Sequence, residues 1–164
     1  MKISDGYWMN KKGYNISYAV QIAEIVTDDD SVTVYAAHHW ISNRSMTLEG
    51  PVFTVRFTST MENSIKVTIE HFSGSIRRAP AFTLYENHGF KPVIHPTKDG
   101  GYELISGSTS VTIGAVGCPW NVTYRYNGQL LTKSDCRSLS LIEEDAVYAQ
   151  MKRITEKNVP FYAQ

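Results

Sequence analysis

The densest group of acidic side chains is a run of three aspartates at positions 28–30. Retaining glycoside hydrolysis needs two carboxyl groups about 5 Å apart on rigid elements, one as nucleophile and one as acid/base. This run lies between two strand-like segments, in a turn that leaves its carboxylates in solvent without neighbours to fix their geometry. It also lacks the ligand spacing and the distal glutamate of a calcium loop. We therefore predict a solvated turn with no catalytic or metal-binding role.

Histidines are the next candidates, led by the pair His38 and His39. Adjacent side chains on a strand point to opposite faces, so we predict two separate surface histidines rather than a chelating pair. The remaining histidines have no cysteine or carboxylate at ligand spacing and are His71, His88 and His95. The sequence also lacks a phosphate loop, a dinucleotide fingerprint and a nucleophile elbow. No metal, cofactor or catalytic residue is therefore assigned.

Aromatic side chains could stack on sugar rings, and the tryptophans are Trp8, Trp40 and Trp120. In a strand-rich chain such residues more often pack in the core or across neighbouring strands, and we favour that interpretation. A carbohydrate-binding surface remains the alternative, and an exposed aromatic patch would favour it.

Charge and composition limit the classes of partner that the sequence is expected to bind. Lys+Arg and Asp+Glu are 16 each, so no bulk field attracts nucleic acid or an anionic membrane. The start of the chain has no apolar export segment, and no later window reaches the ~18 apolar residues of a membrane span. These features predict a cytoplasmic protein whose two cysteines, Cys118 and Cys136, are free thiols.

The elements that would position these side chains are predicted to be antiparallel strands. Strand-like segments at 19–26 and 32–37 flank the aspartate turn and form a first hairpin. Phe53, Val55 and Phe57 alternate with polar residues, which places the core on the phenylalanine side of that strand. The alternating residues 65–69 return as the second strand of a second hairpin.

The later part of the chain continues the strand pattern. Three prolines between residues 73 and 101 predict short edge strands and loops there, followed by strands at 102–105 and 111–113. Asn127 and Gly128 supply the two positive-φ positions of a type I′ hairpin turn. Only residues 142–157 have helix-favouring composition. The chain is therefore predicted to be one all-β antiparallel sandwich domain over residues 1–164.

Several blocks carry a family resemblance. They are the start of the chain as far as Trp8, residues 51–57, and the motif Glu70, His71, Phe72 with Gly74. Together they resemble the N-terminal domain of bacterial α-xylosidases in glycoside hydrolase family 31. The motif residues are expected to have a structural role.

This resemblance implies a galactose-mutarotase-like β-sandwich that precedes a (β/α)₈ catalytic barrel in the same polypeptide and packs against it. The family's catalytic aspartates lie in that barrel, so no position here inherits either role. The family motif Tyr-Gly-Leu-Gly-Glu-Arg-Phe would be expected shortly after Tyr162 and is absent. We therefore expect a sandwich incomplete at its C-terminal end, with exposed edges that favour a homo-oligomer.

The implied function is that of a noncatalytic accessory domain that helps to shape substrate access in a retaining, cofactor-free α-xylosidase. The partners implied are the barrel and, through the whole enzyme, a carbohydrate substrate, with neither nucleic acid nor membrane. The alternative is a free-standing carbohydrate-binding β-sandwich module. A sugar epimerase of mutarotase type would need a His and Glu acid/base pair, which the sequence does not present recognisably.

Overall fold

The computed structural model describes residues 10–71, 82–83 and 90–145. Within them the backbone forms eleven β-strands and one 3₁₀-helix, with no α-helix. The all-β prediction is therefore confirmed. The elements in chain order are β1 (Tyr14–Tyr18), β2 (Gln21–Thr27), β3 (Ser31–Ala37), the 3₁₀-helix (Arg44–Leu48), β4 (Val52–Thr58), β5 (Lys66–Glu70), β6 (Val93–Pro96), β7 (Tyr102–Ser106), β8 (Thr109–Ile113), β9 (Val122–Tyr126), β10 (Gln129–Ser134) and β11 (Ser140–Glu144).

One compact unit spans Tyr18–Leu139 and contains two antiparallel sheets. The four-stranded sheet has the order β2-β3-β4-β5, and the five-stranded sheet has the order β10-β9-β8-β7-β6. Strands adjacent in each sheet are also adjacent in sequence, as expected when short turns join antiparallel neighbours. Both sheets are therefore meanders of the kind that the recurrent turn signals predict.

The four-stranded sheet confirms both hairpins predicted from alternation. Strands β2 and β3 pair around the aspartate turn, with Thr27 opposite Val32. Strands β4 and β5 pair with Val55 opposite Ile69. On β4, Phe53, Val55 and Phe57 are no more than 2% exposed, so the core does lie on the phenylalanine side.

The five-stranded sheet contributes the other half of the core. Leu104, Val111 and Val122 are fully buried, and β7 lies against β3 of the four-stranded sheet. The two apolar faces thus enclose one core, as in a β-sandwich. In the β9–β10 turn, Asn127 has φ 48° and Gly128 has φ 76°, as predicted for a type I′ turn.

Among the described strands, β6 is the last at one side of the five-stranded sheet, and it ends at Pro96. Proline has no N–H to donate to a ladder, so edge positions tolerate it best. The prediction of a short edge strand in the proline-rich segment is confirmed here.

The residues at 10–17 and 140–145 belong to a second, smaller unit. There β1 pairs with β11, and the N–H of Asp145 donates to the carbonyl of Gly13 at 2.8 Å. The predicted helix over 142–157 is wrong at its start, because residues 142–144 belong to β11. Pairing with a distant strand outweighs local helix propensity at this point.

The remainder of that predicted helix, from 146 to 157, lies outside the described residues. The assignment of residues 1–164 to one domain stays a prediction. No helix in the part of the chain that the structure describes is long and apolar enough to cross a membrane.

Candidate functional site

A groove of about 720 Å³ opens within the Tyr18–Leu139 unit. Two parts of the chain line it. The first comprises residues 18–20 and Trp40, and the second comprises residues 119–121 with Lys133, Asp135, Cys136 and Arg137. Its volume lies in the range of about 300–1,000 Å³ that is usual for small-molecule sites. We refer to it as the aromatic groove, because Tyr18, Trp40 and Trp120 all contribute to its surface.

Trp120 is a fixed part of this groove. Its side chain is only 4% exposed, and its indole Nε1–H donates to Ser134 Oγ at 3.0 Å. Its backbone N–H donates to the carbonyl of Val20 at 2.8 Å, which joins the two parts of the chain that line the groove. A buried indole with its N–H satisfied has a single orientation. The prediction of packing for this tryptophan is confirmed.

Trp40 behaves differently, because it is 49% exposed although it lines the same groove. The next residue anchors this segment, since the Ile41 N–H donates to Gln21 Oε1 at 2.7 Å. Gln21 is itself buried, so its amide fixes the chain beside Trp40 from within the fold. The preference for packing is therefore wrong for Trp40, which presents its ring to solvent, whereas Trp8 lies outside the described residues.

Polar and charged groups complete the groove. Lys133, Asp135, Arg137 and Asn121 are among its lining residues. The guanidinium carbon of Arg137 lies 5.5 Å from the centre of the Tyr18 ring, which is within the range of a cation–π contact. The groove thus combines ring surface with hydrogen-bond donors and acceptors of both charge signs.

Both cysteines are free and exposed. Cys136 lines the aromatic groove, whereas Cys118 is not among its lining residues. The two thiols therefore give a probe inside the groove and a matched one outside it.

The histidine pair departs from the sequence prediction. His38 Nδ1 and His39 Nδ1 are 3.1 Å apart, and the ring centroids are separated by 4.4 Å. Strand β3 ends at Ala37, so the alternation of a strand does not reach these residues. The Nε2–H of His39 donates to the carbonyl of Met46 at 3.0 Å. The two imidazoles are in contact rather than on opposite faces.

Burial and the neighbouring His39 hold the pKa of His38 below its ordinary value of 6.5. Only one of the two facing nitrogens can carry a proton in such a contact, so a second charge is disfavoured. Among the described residues, no group of three or more His, Cys, Asp or Glu side chains is placed to hold a metal ion.

The family motif is only partly described. Glu70 is the last residue of β5, is half-buried, and lines a shallow polar depression of about 250 Å³ with Tyr35 and Arg56. His71 follows it and is exposed. Trp8, Phe72 and Gly74 lie outside the described residues. The structural role assigned to these residues stays a prediction.

The aspartate run is solvated, as predicted. All three carboxylates at 28–30 belong to exposed residues. Asp28 Oδ2 accepts from Ser31 Oγ at 3.2 Å, and Asp29 lies 3.8 Å from the Lys91 ammonium with both side chains largely in solvent. Exposed pairs of this kind contribute little to stability.

Sequence comparison gives partial matches, although no family model matches the chain. Alpha-xylosidase XylQ of Lactiplantibacillus pentosus is 28% identical over 142 residues, covering 87% of this chain and 18% of that enzyme. An alpha-xylosidase of Emericella nidulans is 25% identical over 95 residues, covering 58% of this chain and 12% of that enzyme. The chain therefore spans less than a fifth of the curated relatives that it matches.

Structure comparison matches an uncharacterized protein of Listeria monocytogenes, solved in complex with α-D-glucose, β-D-glucose, magnesium and calcium. The TM-score is 0.56 at 12% identity, over 81% of this chain and 11% of that one. At this identity the match shows the fold alone. The sequence matches confirm the resemblance drawn from the motifs, and the chain is similar to a short portion of α-xylosidases.

Proposed function

We propose that this chain is the noncatalytic N-terminal accessory domain of a retaining α-glycosidase of the α-xylosidase type. The supporting observation is the asymmetry of coverage, with 87% of this chain matched to 18% of one α-xylosidase. In this proposal the domain packs on a (β/α)₈ catalytic barrel of the same polypeptide and helps to shape substrate access. The whole enzyme hydrolyses terminal α-xylosides without a cofactor.

The placement of the acidic groups supports a noncatalytic role for this segment. The aspartates at 28–30 are exposed in a turn, where nothing holds two of them at a fixed separation across a sugar ring. Glu103 on β7 lies opposite His95 on β6 with its carboxylate 3.7 Å from His95 Nε2, so its charged neighbour is an imidazole and not the second carboxyl group that retaining hydrolysis needs. Barrel enzymes place their catalytic groups on loops at the carboxyl ends of the barrel strands, so a neighbouring domain contributes shape rather than chemistry.

An apolar edge of the five-stranded sheet supports packing against a further domain. Strand β10 ends the described strand order, and its Leu130 and Leu131 are 56% and 62% exposed. Tyr126 on the adjoining β9 is also exposed. An edge strand with exposed leucines is a surface that soluble proteins normally cover. We propose that the remainder of the enzyme polypeptide packs against this edge and buries these leucines.

The first test is turnover by the purified chain on 4-nitrophenyl α-D-xylopyranoside, where we expect none. The second is the reading frame downstream of codon 164, which should encode a barrel domain. Either turnover by this chain or a downstream frame without a barrel would overturn the proposal.

The docking edge is tested by producing this chain and that barrel as separate tagged polypeptides and measuring their copurification. Leu130→Asp together with Leu131→Asp should abolish it. The control is Val26→Asp together with Val116→Asp, which places the same two charges at exposed apolar residues outside β10. Loss with the control but not with the β10 pair would contradict the assigned edge.

The proposal places the enzyme in the cytoplasm, in keeping with two exposed free thiols, which a reducing compartment preserves. Mass spectrometry of the protein isolated under alkylating conditions should find both thiols reduced. A disulfide in the isolated protein would contradict this location.

A further inference from the structure

We propose that the aromatic groove binds a pyranose unit of a neutral carbohydrate. The inference rests on the groove's own geometry rather than on the accessory role. Sugar binding and domain docking therefore succeed or fail independently in their tests.

The indole of Trp40 is partly exposed at the groove. Burying an aromatic side chain is strongly favourable, yet Trp40 is left 49% exposed at the wall of the groove. Hydrogen bonds of the buried Gln21 side chain fix the backbone next to Trp40. Gln21 Oε1 accepts from the Ile41 N–H, and Gln21 Nε2 donates to the Gly117 carbonyl at 3.5 Å. One buried side chain thus ties the backbone beside Trp40 to Gly117, which precedes the lining residue Pro119 by two positions. The backbone that carries Trp40 is therefore fixed at the wall of the groove before a ligand binds, which lowers the cost of ordering on binding.

Polar residues of the turn after β10 line the same groove as the Trp40 ring. The turn after β10 is closed by Ser138, whose N–H and Oγ both donate to the Asp135 carbonyl, at 3.0 and 2.6 Å. Ser138 Oγ also lies 2.7 Å from Ser134 Oγ, the acceptor of the Trp120 indole N–H. The buried indole and the polar turn are therefore one connected structure. This connection places Asp135 and Arg137 at the groove together with the rings.

The chemical groups that line the groove match those of a sugar. Sugar hydroxyl groups donate and accept hydrogen bonds, and the groove offers a carboxylate at Asp135, an ammonium at Lys133 and an amide at Asn121. A pyranose also has a face of C–H groups that packs on an aromatic ring. The carboxylate of Asp135 lies among the same lining residues as Lys133 and Arg137 and offsets part of their positive charge, so the groove offers an anionic ligand no unopposed cationic site. A purely apolar ligand would leave the charged groups desolvated without partners.

The decisive experiment uses the unmodified chain and its two thiols. Iodoacetamide alkylation is followed by peptide mass spectrometry with methyl α-D-xylopyranoside, methyl α-D-glucopyranoside or xylitol present. Either pyranoside should slow alkylation of Cys136 and leave Cys118 unaffected. Xylitol, which has the hydroxyl groups but no ring face, should protect neither thiol. Absent protection, equal protection of both thiols or protection by xylitol would each overturn the proposal. The relative effects of the two pyranosides identify the preferred sugar.

A variant pair tests the role of the exposed ring by calorimetric titration with the pyranoside that protects better. Trp40→Ala should weaken binding about tenfold or more, because stacking surface is lost. Tyr126→Ala is the matched control, since this aromatic residue is similarly exposed at 46% but does not line the groove. Unchanged affinity in Trp40→Ala, or an equal loss in both variants, would contradict the assignment.

Discussion

The hydroxyl of Ser59 donates to the hydroxyl of Ser106 at 2.9 Å, and both residues are buried although 47 positions separate them. Ser59 follows β4 in the four-stranded sheet, and Ser106 ends β7 in the five-stranded sheet. The Ser64 N–H also donates to Ser106 Oγ, at 3.3 Å. This contact joins the two sheets at one end of the sandwich by polar bonds rather than by apolar packing.

Removing this hydroxyl should destabilise the fold. Ser106→Ala removes one hydrogen-bond partner from the buried Ser59 hydroxyl and one from the Ser64 N–H. Both groups keep a backbone carbonyl as partner, so we expect a loss of about 0.5–1.5 kcal/mol in the free energy of unfolding. Urea denaturation measures it. Ser110→Ala on the neighbouring strand, where the residue is half-buried, is the control and should change little. A double-mutant cycle with Ser59→Ala should show coupling, and strict additivity would contradict the bond.

The core side of β4 should dominate the stability of that strand. Phe57 is fully buried, so Phe57→Ala should cost about 3–5 kcal/mol through lost burial and the cavity left behind. Thr54→Ala changes the opposite face of the same strand and should cost far less. Both values come from chemical denaturation with a common m-value. Similar losses for the two variants would mean that the faces are assigned incorrectly.

Two glycines should respond differently to alanine substitution. Gly128 has φ 76°, and no neighbouring atom lies within 4 Å of the position that an added Cβ would take. Gly128→Ala should therefore lower the free energy of unfolding by about 1–2 kcal/mol through the backbone conformation alone. At Gly101 the added Cβ would collide with the Ile113 carbonyl oxygen, and the strand backbone cannot move away freely. Thermal unfolding should therefore show a larger drop for Gly101→Ala. The reverse order would contradict the close approach of residues 101 and 113.

The histidine pair should make stability depend on pH. Because the folded state holds the pKa of His38 below 6.5, the unfolded chain takes up the proton at higher pH than the native state. The free energy of unfolding should therefore fall as the pH decreases through about 6.5 and below. Denaturation midpoints between neutral and mildly acidic pH measure this dependence.

His38→Gln should flatten that pH dependence, since it removes the group that resists protonation. His71→Gln, at an exposed histidine, is the control and should retain the dependence. A pH profile that His38→Gln leaves unchanged would show that the pair does not govern stability in this range.

Local patterns were sufficient for much of the sandwich. The alternation of Phe53, Val55 and Phe57 identifies both a strand and its buried face, because a pleated strand has a period of two. The Asn127 and Gly128 pair identifies a hairpin, since few other residues accept positive φ at both turn positions. The motif around Glu70 likewise led to the resemblance with α-xylosidases that the sequence matches confirm.

Only the tertiary structure decided which distant segments meet. Residues 142–144 form a strand because β11 pairs with β1, which lies more than 100 residues earlier in the chain. The local composition of residues 142–144 does not specify that pairing. Likewise, nothing in the sequence around Trp40 and Trp120 tells which of the two is buried. Folding buries one and leaves the other at a groove wall, because burial depends on what the rest of the chain places against each ring.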